Sequence, residues 1–122
     1  MSQDPRHSLG SWGEDLAALY LENQGLKIVE RGFRCRFGEI DIIAQNSEVL
    51  IFCEVKTRRR ESFIAPQEAV SWSKQRRLIK TAGWYLNQCS WDGELRFDVI
   101  AILAPGGREP IVEWIQDAFA WE

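Results

Sequence analysis

Two nearly continuous apolar runs, Glu39-Ile40-Asp41-Ile42-Ile43-Ala44 and Val49-Leu50-Ile51-Phe52-Cys53-Glu54-Val55-Lys56, stand four residues apart, and nothing else in the chain constrains its fold as tightly. Both are rich in β-branched and aromatic residues, and Gln45-Asn46-Ser47-Glu48 between them is turn chemistry. A β-hairpin is predicted. Strands this apolar belong at the centre of a sheet with both faces covered. Such strands rarely tolerate ionisable residues, yet Asp41, Glu54 and Lys56 lie inside these two. An isolated buried carboxylate is expensive, so the trio implies a bound cation, a salt bridge, or a strand end that faces a cleft.

The rest of the chain supplies the covering layers. Residues 11–24 read as a helix, with Ser11 as N-cap, Glu14 three residues on, apolar Trp12, Leu16, Leu19 and Tyr20 at helical spacing, and Gly25 as terminator. A strand is predicted over Leu26 to Phe33, and a polar, mobile basic loop over Arg58 to Pro66. Ser71 caps a second helix whose basic face runs from Lys74 to Lys80, whose inward stripe is Leu78, Ala82, Tyr85 and Leu86, and which ends near Asn87. Leu95 to Leu103 reads as a further strand. Ile111 to Ile115 reads as a last one, followed by a short terminal helix. Helices on both sides of a mixed sheet give an α/β domain.

At 122 residues the chain suits one domain, 1–122, of which 1–8 is expected to be a flexible N-terminal segment. A content of 45% hydrophobic and 27% charged residues excludes a disordered chain. The apolar runs fall far short of the roughly 20 residues that span a bilayer. No membrane association and a cytoplasmic location are expected. Cys35, Cys53 and Cys89 are odd in number and lack metal-type spacing, so they read as free thiols. The net charge of −3 argues against a polyanion partner only until its distribution is considered. Residues 31–80 hold 11 of the 15 Lys and Arg and 6 of the 18 acids, a balance of +5, which leaves −8 for the remainder. A basic middle of this kind focuses a positive field on one face, as a nucleic-acid ligand requires, although solvated surface charge also produces it.

Spacing decides which charged residues can meet. Glu54 and Lys56, two apart on a strand, share a face. A two- or four-residue turn puts Asp41 on that face as well, beside Phe52 or Glu54, whereas a three-residue turn sends it to the opposite face unless a bulge intervenes. Two carboxylates at one point repel unless a hard cation separates them, and Mg²⁺ is typically held by one or two carboxylates with substrate phosphate oxygens. Lys56 beside that ion supplies a charge for a phosphate, or holds or deprotonates the attacking water. The alternative is that Lys56 pairs with Glu54 or Asp41 as a buried ion pair.

Glu14, Gly38-Glu39-Ile40-Asp41-Ile42-Ile43-Ala44 and Phe52-Cys53-Glu54-Val55-Lys56-Thr57-Arg58 resemble the YraN family of small bacterial proteins. The resemblance continues through Ala69-Val70, Lys74, Ala82, Tyr85-Leu86 and Arg96-Phe97-Asp98-Val99, covering roughly residues 7 to 119. It departs at Gly32, where Asn is common, and at Ile64-Ala65, where a Gly is expected before Pro66. The resemblance implies a restriction-endonuclease-like fold, a central mixed β-sheet flanked by helices, similar to archaeal Holliday-junction resolvases. By that resemblance Asp41, Glu54 and Lys56 are catalytic, with Asp41, Glu54 and Glu14 as ligands of Mg²⁺ or Mn²⁺. Glu14 has a second reading as the partner of Ser11 in a capping box.

The function expected is metal-dependent endonuclease action on DNA, selected by structure rather than by sequence and including branched or damaged forms. Arg58, Arg59, Arg60, Lys74 and Arg77 are its phosphate contacts. Two rivals stand beside it: a non-catalytic nucleic-acid-binding module, and a protein-interaction or assembly factor on the same fold. His7, near the start of the first helix, is within reach of a phosphate in the site, although a lone terminal His is usually inert, and Asp98, read as the partner of a strand-end Arg, is left outside the site. Trp12 and Trp84 are expected to pack, Trp72, Trp91 and Trp121 to be exposed, and none is assigned to base stacking.

Overall fold

A computed structural model describes residues 9–59, 70–104 and 109–121. Its elements in chain order are α1 (Leu9–Asn23), β1 (Lys27–Cys35), β2 (Gly38–Gln45), β3 (Val49–Arg59), α2 (Trp72–Leu86), β4 (Glu94–Ala104) and β5 (Ile111–Phe119). The strands form one sheet in the order β1-β2-β3-β4-β5. Its pairs are antiparallel except β3 with β4, which run parallel across the connection that contains α2. The result is an α/β, restriction-endonuclease-like arrangement with a mixed sheet at its centre, as the sequence led one to expect.

Local chemistry explains several element ends. At the end of α1, Gly25 takes φ +89°, and the amides of Gly25 and Leu26 donate to the carbonyls of Glu22 and Leu21. These two bonds make a Schellman motif, sealed by Leu21 and Leu26, which are both buried. The amide of Lys74 donates to Ser71 Oγ at 3.3 Å, so Ser71 is the N-cap of α2, and the helix ends at Asn87. The turn between β2 and β3 is fixed by Asn46, whose Oδ1 accepts from the amides of Glu48 and Val49.

The two helices cover opposite faces of the sheet. Ala17, Ala18 and Leu21 of α1 pack with Ile42, Ala44, Ile51, Cys53, Ile100 and Ile102, while Leu78 and Ala82 of α2 pack with Ile43, Leu50, Phe52, Phe97 and Val99. The central strand β3 is buried along its first six residues, consistent with its unbroken apolar run. Gly13 brings α1 against β3, for a Cβ there would lie 1.9 Å from Thr57 Oγ1.

Several expectations are corrected. Among the described residues helix α1 runs from Leu9, so Ser11 lies within it and is not its N-cap; Leu9, half-buried, stands one turn before the buried Gly13. Arg58 and Arg59, expected in the basic loop, belong to β3, which continues to Arg59 in register with Leu103 and Ala104 of β4, and the rest of that segment to Pro66 lies outside the described residues. Among the described residues no terminal helix follows β5, which runs on to Phe119. A register shift between Phe97 and Val99, with Asp117 at φ 54°, carries β5 past the irregularity so that Phe119 stacks on Phe97 at 4.8 Å. Trp12, expected to pack, lies at the surface; Trp84 is partly exposed while its ring packs edge-on against Phe37 at 6.0 Å; and Trp91, expected to be exposed, is half-buried with its indole N–H donated to the Glu94 carbonyl.

Candidate functional site

The hairpin register builds the site. Gln45 pairs with Leu50, leaving a four-residue turn, and Ile42 pairs with Cys53. One step further Asp41 faces Glu54. The backbone ladder between β2 and β3 stops there, and the Val55 amide instead donates to Asp41 Oδ2 at 2.8 Å. That bond aims the Asp41 carboxyl across the strand at the carboxyl of Glu54, with which it interacts directly.

Both carboxyls are removed from water: Glu54 is 5% exposed and Asp41 is partly buried. Burial first, and then the negative charge of Glu54, push Asp41 up to about 7, against the opposing pull of the Val55 amide. Glu54 differs from Asp41 in having two cations. Lys56 Nζ lies 3.3 Å from its Oε2, and Lys74 Nζ, arriving from α2, contacts the same oxygen. Burial and the adjacent Lys74 lower Lys56 from the usual lysine range. For Lys74 the burial effect is outweighed by its bonds to Glu54 and Lys56, which leave it raised.

The pair opens into a cleft of about 230 Å³ on the α2 side, lined by Gly38, Glu39, Asp41, Glu54, Lys74, Arg77 and Leu78. Gly38, at φ +153°, lets the β1–β2 turn close on α2, where a Cβ would stand 3.2 Å from Thr81 Oγ1. The expected residues thus divide. Asp41, Glu54, Lys56 and Lys74 meet at one point, and Arg77 lines the wall. Arg58 shares the face of Glu54 and Lys56 by strand alternation, Arg59 falls on the opposite face, and Arg60 lies outside the described residues, as do His7 and the Ile64-Ala65-Pro66 segment. Glu39 was not expected in the site. It lines the cleft and bonds Arg34 at 3.1 Å, and its two-residue spacing from Asp41 on one strand is the signal that points to it.

Glu14 stands within electrostatic reach of Asp41 and Glu54, and burial first, then its acidic neighbours, raise it from the usual carboxylate value, against Arg31. Even so, among the described residues no three acidic, His or Cys side chains come close enough together to hold a metal. The closely placed donors are Asp41 and Glu54.

Against known proteins, the family model described as "Uncharacterised protein family UPF0102" matches residues 13–102. The chain belongs to the UPF0102 family. This is the YraN family of the sequence resemblance. A UPF0102 protein of Syntrophotalea carbinolica is 50% identical over 115 residues, covering 93% of each chain. One of Rhodococcus opacus is 46% identical over 114 residues, 92% of this chain and 96% of its own, and one of Geobacter metallireducens is 49% identical over 113 residues, 92% of each. The UPF0102 match contains the whole cleft, from Gly38 to Leu78, together with Glu14 and Lys56. No helix among the described residues is long and apolar enough to cross a membrane.

Proposed function

We infer that this protein is a divalent-metal-dependent endonuclease acting on DNA, and that Asp41 and Glu54 hold its cation. The supporting observation is two directly coupled carboxyls lining one open cleft, with Asp41 raised to about 7 first by burial and then by the negative charge of Glu54. Two hard oxygen donors suit Mg²⁺ or Mn²⁺, ions that use few protein carboxylates and complete their shell with water and phosphate. When bound, the ion would supply Lewis-acid stabilisation of charge on a phosphoryl oxygen.

The remaining roles belong to side chains. Asp41, oriented by the Val55 amide, and Glu54, buried on β3, fix the position of the cation. Lys56, with its ammonium 3.3 Å from Glu54 and its proton affinity lowered, orients the attacking water or meets the scissile phosphate. Arg77 and Lys74 hold phosphates at the cleft, which positions a strand without reading its sequence. Structure-specific DNA, branched or damaged, is the substrate class this arrangement serves.

A second reading is favoured by one observation: the two lysines already on Glu54 neutralise it as a permanent buried ion pair would. In that case the protein binds nucleic acid without cutting it. Incubating labelled branched and duplex DNA with Mn²⁺ separates the two. Cleavage lost in Asp41→Asn is expected, and metal-independent binding with no cleavage of any substrate would favour the binding module.

A further inference from the structure

Outside the cleft, α2 carries a surface that hydrolysis alone does not use. Trp72-Ser73-Lys74-Gln75-Arg76-Arg77-Leu78-Ile79-Lys80-Thr81-Ala82-Gly83-Trp84 contains four cations and no acid. Its outer stripe begins with Trp72, which is 72% exposed, the largest value among the exposed large hydrophobic residues. The Arg76 guanidinium lies 5.5 Å from the centre of that ring. Exposed Lys80 follows one turn later, and then Trp84, 39% exposed, meets Phe37 of the β1–β2 turn at 6.0 Å. Arg36 in turn sits 5.2 Å over Phe37. Trp72 and Trp84 are about 18 Å apart along the helix at 1.5 Å per residue. Between them Lys74 and Arg77 lead into the cleft.

A solvated basic face needs no indole in water, and an apolar docking patch needs no row of cations. Aromatic rings flanked by guanidinium and ammonium groups match one ligand chemistry: a polyanion with free π-faces. A duplex offers phosphates but keeps its base faces stacked inside, whereas an unpaired strand offers both. We propose that the outer face of α2, from Trp72 through Arg76 and Lys80 to Trp84, is a track for an unpaired nucleic-acid strand leading to the cleft. The proposal rests on the nuclease reading for where the strand goes. It also narrows the substrate class to nucleic acid with a single-stranded arm or gap beside the cut.

The test is anisotropy titration of the full chain, in EDTA so that nothing is cleaved, with a labelled 20-nucleotide oligo-dT and a 20-base-pair blunt duplex. The oligo-dT is expected to bind more tightly than the duplex. Trp72→Ala should weaken oligo-dT binding about ten-fold, the loss of one stacked base, while Trp72→Phe retains it. Joint substitution Arg76→Gln and Lys80→Gln should flatten the slope of log affinity against log salt by about 1.4, two phosphate contacts on a single strand. Duplex binding as tight as or tighter than that of oligo-dT, or oligo-dT binding indifferent to Trp72→Ala, would overturn the track. Trp72-dependent binding by a protein that cuts nothing in Mn²⁺ would support the track and sink the hydrolysis. Cleavage without single-strand preference would do the opposite.

Discussion

At Asp41, burial and the facing Glu54 carboxyl both oppose ionisation, and the Val55 amide is the contact that favours it. Among the described residues no cation lies in ion-pair contact with Asp41, while Lys56 and Lys74 both hold Glu54, so the two carboxyls answer differently to neutralisation. Asp41 takes up its proton more readily in the folded chain than its usual value of 3.8 allows, at about 7. Its contribution to metal-free stability is therefore complete at pH below about 4 and is lost as pH rises through about 7. Asp41→Asn removes this loss, and in metal-free thermal melts at pH 8 it should be more stable than the parent by about 2 kcal/mol, the gap closing on acidification. Glu54→Gln leaves two lysines without their anion, so it should lose about 3 kcal/mol under the same conditions. Equal destabilisation by both variants, with a parent indifferent to pH between 5 and 8 (about the range set by the raised acid), would show that the carboxyls are ordinary structural partners.

At the scale of elements, one buried side chain ties β5 to β4 where their ladder is interrupted. Asp98 accepts from Arg96 Nε and Nη2 at 3.0 and 2.9 Å, from the Trp114 indole at 2.8 Å and from the Asp117 amide at 2.9 Å. Replacing Asp98 by Ala strands the Arg96 charge and the Trp114 donor, and a loss of about 3–5 kcal/mol is expected in chemical denaturation. Although Asp98 pairs with Cys53, next to Glu54, divalent-ion binding at the cleft should be kept by the folded fraction. Asp98 was legible in the sequence as the partner of a strand Arg, but its hold on β5 was not. That hold depends on Asp117, 19 residues away, and on a register shift, whereas sequence patterns report neighbours and periods. Elements with local signals were legible: Gly25 for the end of α1, Ser71 for the start of α2 and Asn46 for the hairpin. The capping-box spacing of Ser11 and Glu14 suggested a helix start at Ser11, whereas the helix already includes Leu9, half-buried one turn before Gly13.

Over the whole molecule, the cations of α2 lie on the same side of the sheet as the cleft, whereas Arg31 pairs with Asp15 of α1, which covers the other. Asp41, Glu54 and Lys56 could be grouped from the sequence because a period of two and a four-residue turn fix their common face. The contact of Lys74 with Glu54 could not, since it depends on how α2 docks on the sheet. Arg58, Arg59 and Arg60 read as one patch only if they form a loop; with β3 continuing to Arg59, alternation sends Arg58 and Arg59 to opposite faces. Glu14 is felt by the carboxyl pair but stands outside any close set of three donors. The central claim, that Asp41 and Glu54 form a divalent-cation site, is tested most directly by calorimetric titration of Mn²⁺ into the metal-free protein at several pH values. One ion per chain is expected, with affinity rising as pH passes through about 7 because the cation displaces the Asp41 proton, and with binding abolished in Asp41→Asn. No Mn²⁺ binding by the parent at pH 8, or binding that Asp41→Asn leaves unchanged, would contradict it.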